Sequence, residues 1–253
     1  MQPQPTTAPP GMTLRDYFAR TYVVNLPHRT DRRRLMVREL RRIGLPEEPG
    51  RVDFYPAIRP DDPGPFTGIG VRGCFLSHLA ILKAARDQNL RNVLVLEDDL
   101  ETAPALATLE PALVRFLSER PWGLTFFFPP GMPGDPRPAV TNGEPLTTSN
   151  IHVKGTHFYA VNGPTIGPVV AFLEEVLARP SGDPRGGPMH LDGAYNVFRK
   201  TYPDVITLFA TTDLSGQRSS RSDVAGGRWF DSTPGVRSLA TLARHVKHRL
   251  KGR

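Results

Sequence analysis

Val93-Leu94-Val95-Leu96 runs straight into Glu97-Asp98-Asp99. Four consecutive aliphatic side chains leave no polar face, so the run reads as a strand covered on both sides, as in parallel sheets. The acids that end it repel one another where a sheet lowers the local dielectric. The segment therefore calls for a two-faced α/β sheet whose carboxyl edge tolerates clustered negative charge. A divalent cation removes the repulsion. Mg²⁺ and Mn²⁺ take oxygen ligands, and Glu97-x-Asp99 sets two carboxylates on one side of an extended segment. A solvated strand end, or Asp99 as a helix cap, accounts for the same acids.

The rest of the chain supplies the layers. Tyr22–Leu26 is a second buried-strand run, and Thr30-Asp31 looks like a helix start, a capping hydroxyl followed by an acid. Met36, Leu40 and Ile43 then recur at helical spacing up to Gly44. Val52–Tyr55 is a weaker strand, 60–73 a Pro- and Gly-rich loop, and Cys74–Asn89 a helix with Phe75, Leu79, Leu82 and Ala85 on one side. Helices are expected over Ala105–Glu119, Thr165–Leu177 and Asp192–Arg199. Strands are expected over Leu124–Phe128, Thr156–Val161 and Val205–Phe209, with a loop over Pro129–Thr148. The alternation predicts a mostly parallel sheet flanked by helices. Ligands of such sheets sit at the carboxyl ends of the strands, where Asn25 and Glu97–Asp99 both fall.

Three competing sites fail on context. A phospho-receiver needs an acid at the end of a later strand, but Phe126-Phe127-Phe128-Pro129 has none. A haloacid-type phosphatase needs Asp as nucleophile where Glu97 stands. Gly68-x-Gly70-x-x-Gly73 matches a dinucleotide fingerprint in letters, yet no strand precedes it.

The formal charge is +7, and Arg237–Arg253 alone holds six Lys/Arg and no acid. Leu239, Leu242, Val246 and Leu250 form an apolar stripe in that tail, so it reads as a basic amphipathic helix for an anionic membrane surface. The clustered acids argue against a nucleic-acid groove. One cysteine, Cys74, excludes a disulfide within the chain. No signal-peptide pattern or membrane-length apolar run is present, so the expected location is cytoplasmic, with the tail at the inner face of a membrane. The expected domains are a disordered or loosely attached leader over 1–20, one domain over 21–236 and the tail helix over 237–253.

Several segments together resemble glycosyltransferase family 25, which includes lipooligosaccharide and collagen galactosyltransferases. Val24-Asn25-Leu26-x-x-Arg29-x-Asp31-Arg32 is similar to its opening signature, Gly73-Cys74-x-x-Ser77-His78 to its central one, and Leu94–Asp99 to its acidic motif. Gly155–Asn162, Asp192 and Gln217-x-Ser219-Ser220 resemble later markers. Val71-Arg72, where the family often has an acid, and Gly193, where it often has an aromatic, depart from it. The resemblance implies a GT-A type fold, a UDP-sugar donor (often UDP-galactose), a saccharide or glycolipid acceptor, a divalent metal and inversion at the anomeric carbon.

It also implies roles. In GT-A enzymes the first acid of the motif often serves the ribose and the last the metal. Asp99 is thus the favoured metal ligand with Glu97, while Glu97 and Asp98 also face the donor. Asn25 and Leu26 would contact the nucleotide, or Asn25 simply closes the strand in a turn; Arg29 and Arg32 would face the diphosphate or lie on a solvated helix face. His78 would bond the donor or orient an acid, or simply fill the core. Cys74 reads as a small buried apolar residue, and His152 and His157 as possible completions of a metal site or plain surface residues. Asp192, opening a late helix, is the expected general base, a helix N-cap, or both, with Asp213 and Asp223 behind it as bases. A non-catalytic nucleotide-sugar-binding protein is the alternative function, and a basic adaptor a third class.

Overall fold

A computed structural model describes residue 9 and residues 11–131 and 143–218. The expected tail helix over 237–253 lies outside the described residues, as do Ser219, Ser220 and Asp223. The element order is α1 (Leu14–Tyr17), β1 (Arg20–Asn25), α2 (Thr30–Arg42), β2 (Val52–Pro56), α3 (Ile69–Asp87), β3 (Asn92–Glu97), β4 (Leu100–Thr102), α4 (Pro104–Glu119), β5 (Leu124–Phe126), β6 (Leu146–Thr148), β7 (Phe158–Asn162), α5 (Gly163–Ala178), α6 (Leu191–Thr201), β8 (Thr207–Ala210) and β9 (Ser215–Gln217).

Among the described residues the main sheet runs β2-β1-β3-β7-β5-β8-β6, and β4 pairs with β9 in a small second sheet. β1 is parallel to β2 and β3, and β5 to β8; β7 is antiparallel to β3 and β5, and β6 to β8. Five of the seven strands therefore point one way, as in the mostly parallel α/β sheet expected, while β6 and β7 run against them.

Crossover handedness fixes where the helices lie. The chain steps from β1 to β2 through α2, then returns past β1 to β3 through α3. Right-handed connections in opposite directions put α2 and α3 on opposite faces. Ring contacts agree. Tyr159 of β7 meets His78 of α3 and Tyr195 of α6 on one face. On the other, Phe127 stacks on Phe158 and meets Phe18, just after α1. The four aliphatic residues of β3 are fully buried, as its unbroken apolar run demands.

The local departures have local causes. Thr30 is the first helical residue of α2, not its cap; Arg29 takes the cap position without a side-chain bond. α3 begins at Ile69, so Gly73 and Cys74 lie inside the helix rather than at its start. The expected loop over Pro129–Thr148 ends in β6. The second half of the expected leader packs on the domain: a Thr13/Asp16 capping box starts α1, and Leu14 and Phe18 are buried.

Candidate active site

The strand order reverses between β1 and β3, and in open α/β sheets ligands bind at such a reversal, at the carboxyl ends of the strands. Asn25 ends β1 and Glu97 ends β3. The turn to β4 carries Asp98 and Asp99.

The three acids have different surroundings. Asp98 is buried and both its oxygens are engaged. Asn25 Nδ2 donates to Oδ2 at 2.7 Å, and Arg32 Nη1 to Oδ1 at 2.7 Å. Arg32 also lies 3.5 Å from Asp99 Oδ2. Arg29 closes a fork on Asp31, at 3.0 Å through both Nε and Nη2, and Asn25 Nδ2 reaches its carbonyl at 3.4 Å. Arg32 thus offsets Asp98 and part of the Asp99 charge. Leu26, the residue after Asn25, is half-buried. Asn25, Asp98 and Arg32 together tie β1, the β3 turn and the first turn of α2 into one floor.

Glu97 and Asp99 are less well compensated. Thr156 Oγ1 donates to Glu97 Oε1 at 2.7 Å; Gln217 Nε2 stands 3.4 Å from Glu97 Oε2 and 3.5 Å from Asp99 Oδ1. Burial, then the Asp99 charge, pushes the Glu97 carboxyl up; burial also raises that of Asp99 against the opposing pull of Arg32. Two carboxylates held away from water and close to each other are the electrostatic condition that a bound divalent cation relieves. Their hard oxygen donors fit Mg²⁺ or Mn²⁺.

Behind Glu97 lies α3. A Cβ on Gly73 would come within 2.6 Å of the Ile58 carbonyl, so only glycine lets the β2–α3 loop lie against the helix here. Ser77 Oγ secures that contact, accepting from Ile58 N–H at 2.8 Å and donating to the Gly73 carbonyl at 2.6 Å. Cys74 and His78, each one residue further on, turn toward Glu97. His78 is fully buried, which pushes its imidazole down to about 3 and keeps it neutral. Its Nδ1 lies 3.0 Å from the Tyr159 hydroxyl and its Nε2 3.7 Å from Glu97 Oε1. From there it addresses an acid.

Asp192 stands one peptide from this group. Its Oδ2 accepts from Gly155 N–H at 3.0 Å, and Gly155 precedes Thr156, the partner of Glu97. Its Oδ1 accepts from Gly193 N–H at 2.8 Å. Asn196, one turn on, exchanges hydrogen bonds with the Val153 backbone. The start of α6 therefore pins the 153–155 loop over the site.

Neither His152 nor His157 pairs its ring with Glu97 or Asp99, although the His157 carbonyl accepts from Glu97 N–H at 3.0 Å. His157 is buried, its ring stacked on Phe128 at 4.2 Å and its Nε2 3.2 Å from Ser215 Oγ. His152 is exposed, as is Asp213. Thr156 was not singled out in the sequence. Its partnership with Glu97 follows from the antiparallel placement of β7 beside β3, which apolar strand patterning does not reveal.

No family model matches the chain. Protein R655 of Acanthamoeba polyphaga mimivirus, which bears a provisional glycosyltransferase name, is 32% identical over 162 residues, 54% of this chain and 46% of that protein. The chain thus spans about half the length of this curated relative. The structure of a glycosyltransferase involved in the glycosylation of the major capsid of PBCV-1 is similar over 75% of this chain and 91% of that one, at 14% identity and a TM-score of 0.36, a likeness too loose to carry an argument.

Proposed function

We propose that the chain is a glycosyltransferase that takes its sugar from a nucleotide-sugar donor at the carboxyl ends of β1 and β3. The observation that carries this reading is the pair Glu97 and Asp99, only partly compensated by Arg32 at the strand-order reversal above an Asn25–Asp98–Arg32 floor. A diphosphate needs such a place: a cation site beside a polar floor at strand ends. The similarity to the mimivirus protein agrees with it.

Within this reading the donor is a UDP-sugar, galactose by the family 25 resemblance, and the acceptor a hydroxyl of a saccharide or glycolipid in surface-glycan synthesis. Asn25 and Leu26 face the nucleoside and Arg32 the phosphates. Glu97 and Asp99 would hold the divalent cation, which when bound supplies charge neutralisation for the leaving diphosphate. Asp192 takes the proton from the acceptor hydroxyl, on the side of the site opposite α2. The basic tail would hold the chain at an anionic inner membrane surface, close to a lipid-borne acceptor.

One observation favours a second reading, a non-catalytic nucleotide-sugar binder: both Asp192 oxygens already accept backbone hydrogen bonds. The two readings separate in a UDP-release assay over UDP- and GDP-sugars with Mn²⁺ and a panel of saccharide acceptors. Acceptor-stimulated nucleotide release establishes the transferase. Donor binding by calorimetry without release from any donor supports the binder and removes the transferase.

A further inference from the structure

Cys74 and His78 lie one helical turn apart on α3, and both point at Glu97. Cys74 Sγ, a ring nitrogen of His78 and a Glu97 carboxylate oxygen all fall within 4.8 Å of one another. We propose that these three residues form a second cation site, of zinc type, behind the oxygen site of Glu97 and Asp99.

Four observations carry it. First, His78 Nε2 is buried without a hydrogen-bond partner. A polar atom left so in a closed core is costly unless something completes it. Second, that atom is aimed at Glu97 Oε1, 3.7 Å away. Ligand atoms around a tetrahedral zinc sit roughly 3.3–3.6 Å apart, given its bond lengths of about 2.0–2.3 Å, so this pair is already near ligand spacing, while the group as a whole, within 4.8 Å, has to close on the ion. Third, the other ring nitrogen is already held: Nδ1 lies 3.0 Å from the Tyr159 hydroxyl. An Nδ1–H donated to that oxygen leaves the Nε2 lone pair facing the site, the arrangement that orients metal-bound imidazoles. Fourth, Cys74 is half-buried and the Glu97 side chain 20% exposed, whereas His78 is fully buried, so the group is closed on the His78 side and not on the Glu97 side.

A thiolate and an imidazole select a softer ion than the Mg²⁺ or Mn²⁺ that suits Glu97 with Asp99. Binding would displace the thiol proton of Cys74 to solvent and leave a fourth position for water. Such an ion would clamp α3 to the end of β3. The site does not depend on the transferase reading.

Cobalt(II) makes the test direct, because Cys74 is the only cysteine in the chain. The full chain, reduced and freed of metal with a chelator, is titrated with Co²⁺. The expected result is a near-ultraviolet thiolate-to-cobalt absorption band that added Zn²⁺ abolishes. Cys74→Ser should lose the band and bind Zn²⁺ about tenfold or more weakly. X-ray absorption of the zinc-loaded native chain, which needs no variant, should show one sulfur neighbour at about 2.3 Å. Absence of both the band and the sulfur neighbour at saturating metal overturns the site. Calorimetric binding that is unchanged in Cys74→Ser overturns it as well, since the ion then sits on the carboxylates alone. That last result leaves the Glu97/Asp99 cation, and the transferase reading built on it, untouched.

Discussion

Two neighbouring aspartates of one acidic run have opposite energetic roles. Asp98 is enclosed by Asn25 and Arg32, so Asp98→Asn removes a charge that the fold has compensated and weakens the tie between the β3 turn and Arg32. It should lower stability by about 1–3 kcal/mol in denaturant titration. Asp99 is held in a setting that raises its proton affinity, so Asp99→Asn removes a charge the fold resists. Without metal it should melt at or above the native temperature, yet lose Mn²⁺-dependent UDP binding in calorimetry. Equal destabilisation by the two variants would sink the division of labour. For Asp192 the informative change is also to Asn, which keeps an oxygen for Gly155 N–H. If Asp192 is the base, donor binding persists and kcat falls about 10²- to 10⁴-fold. Near-normal turnover would confine it to pinning the loop.

At the scale of elements, α3 shows how a sequence motif becomes a site. Gly73 and Ser77 face the β2–α3 loop, and Cys74 and His78 face Glu97, so one four-residue spacing serves two neighbours. Gly73→Ala places a methyl group 2.6 Å from the Ile58 carbonyl, and the backbone there must move. We expect a loss of about 1–3 kcal/mol. Ser77→Ala strands the Ile58 N–H and should cost about 1–2 kcal/mol. A double variant losing less than the sum would show that both act on the same contact. This motif was legible in the sequence as a resemblance, but not its reason, because the Ile58 loop is distant along the chain. Likewise β3, α2 and α4 were legible because each carries its own period or apolar run. The direction of β7 and the short β4, β6 and β9 were not. A strand buried on both faces looks the same in either direction, and three residues carry no period. Gln217 shares the consequence: β9 brings it to Glu97 and Asp99 through pairing with β4, a long-range contact that local pattern cannot supply.

At the scale of the whole molecule, the buried ionisable groups pull stability in opposite directions with pH. Burial lowers the imidazoles of His157 to about 4 and His78 to about 3, from the usual 6.5. Between those values and 6.5 the unfolded chain binds protons that the folded chain refuses, so stability falls as pH drops below about 6.5. Glu97 and Asp99 are shifted up, and there the folded chain holds protons that the unfolded chain releases, so stability falls as pH rises above the ordinary carboxylate range. The two slopes oppose each other in the mildly acidic range. A variant that removes one histidine isolates its share. His157 suits this, because it packs on Phe128 and pairs with Ser215, at the rear of the site rather than in it. His157→Gln keeps a nitrogen for Ser215 but cannot take up a proton in this range. At pH 7.5 it should be the less stable protein, having lost the ring stack. As pH is lowered from 6.5 to 4, native protein should lose about 3 kcal/mol that the variant does not lose. Melting curves across that interval should therefore converge and then cross. Parallel curves would mean that His157 is protonated in the fold, and that its burial against Phe128 does not hold in solution.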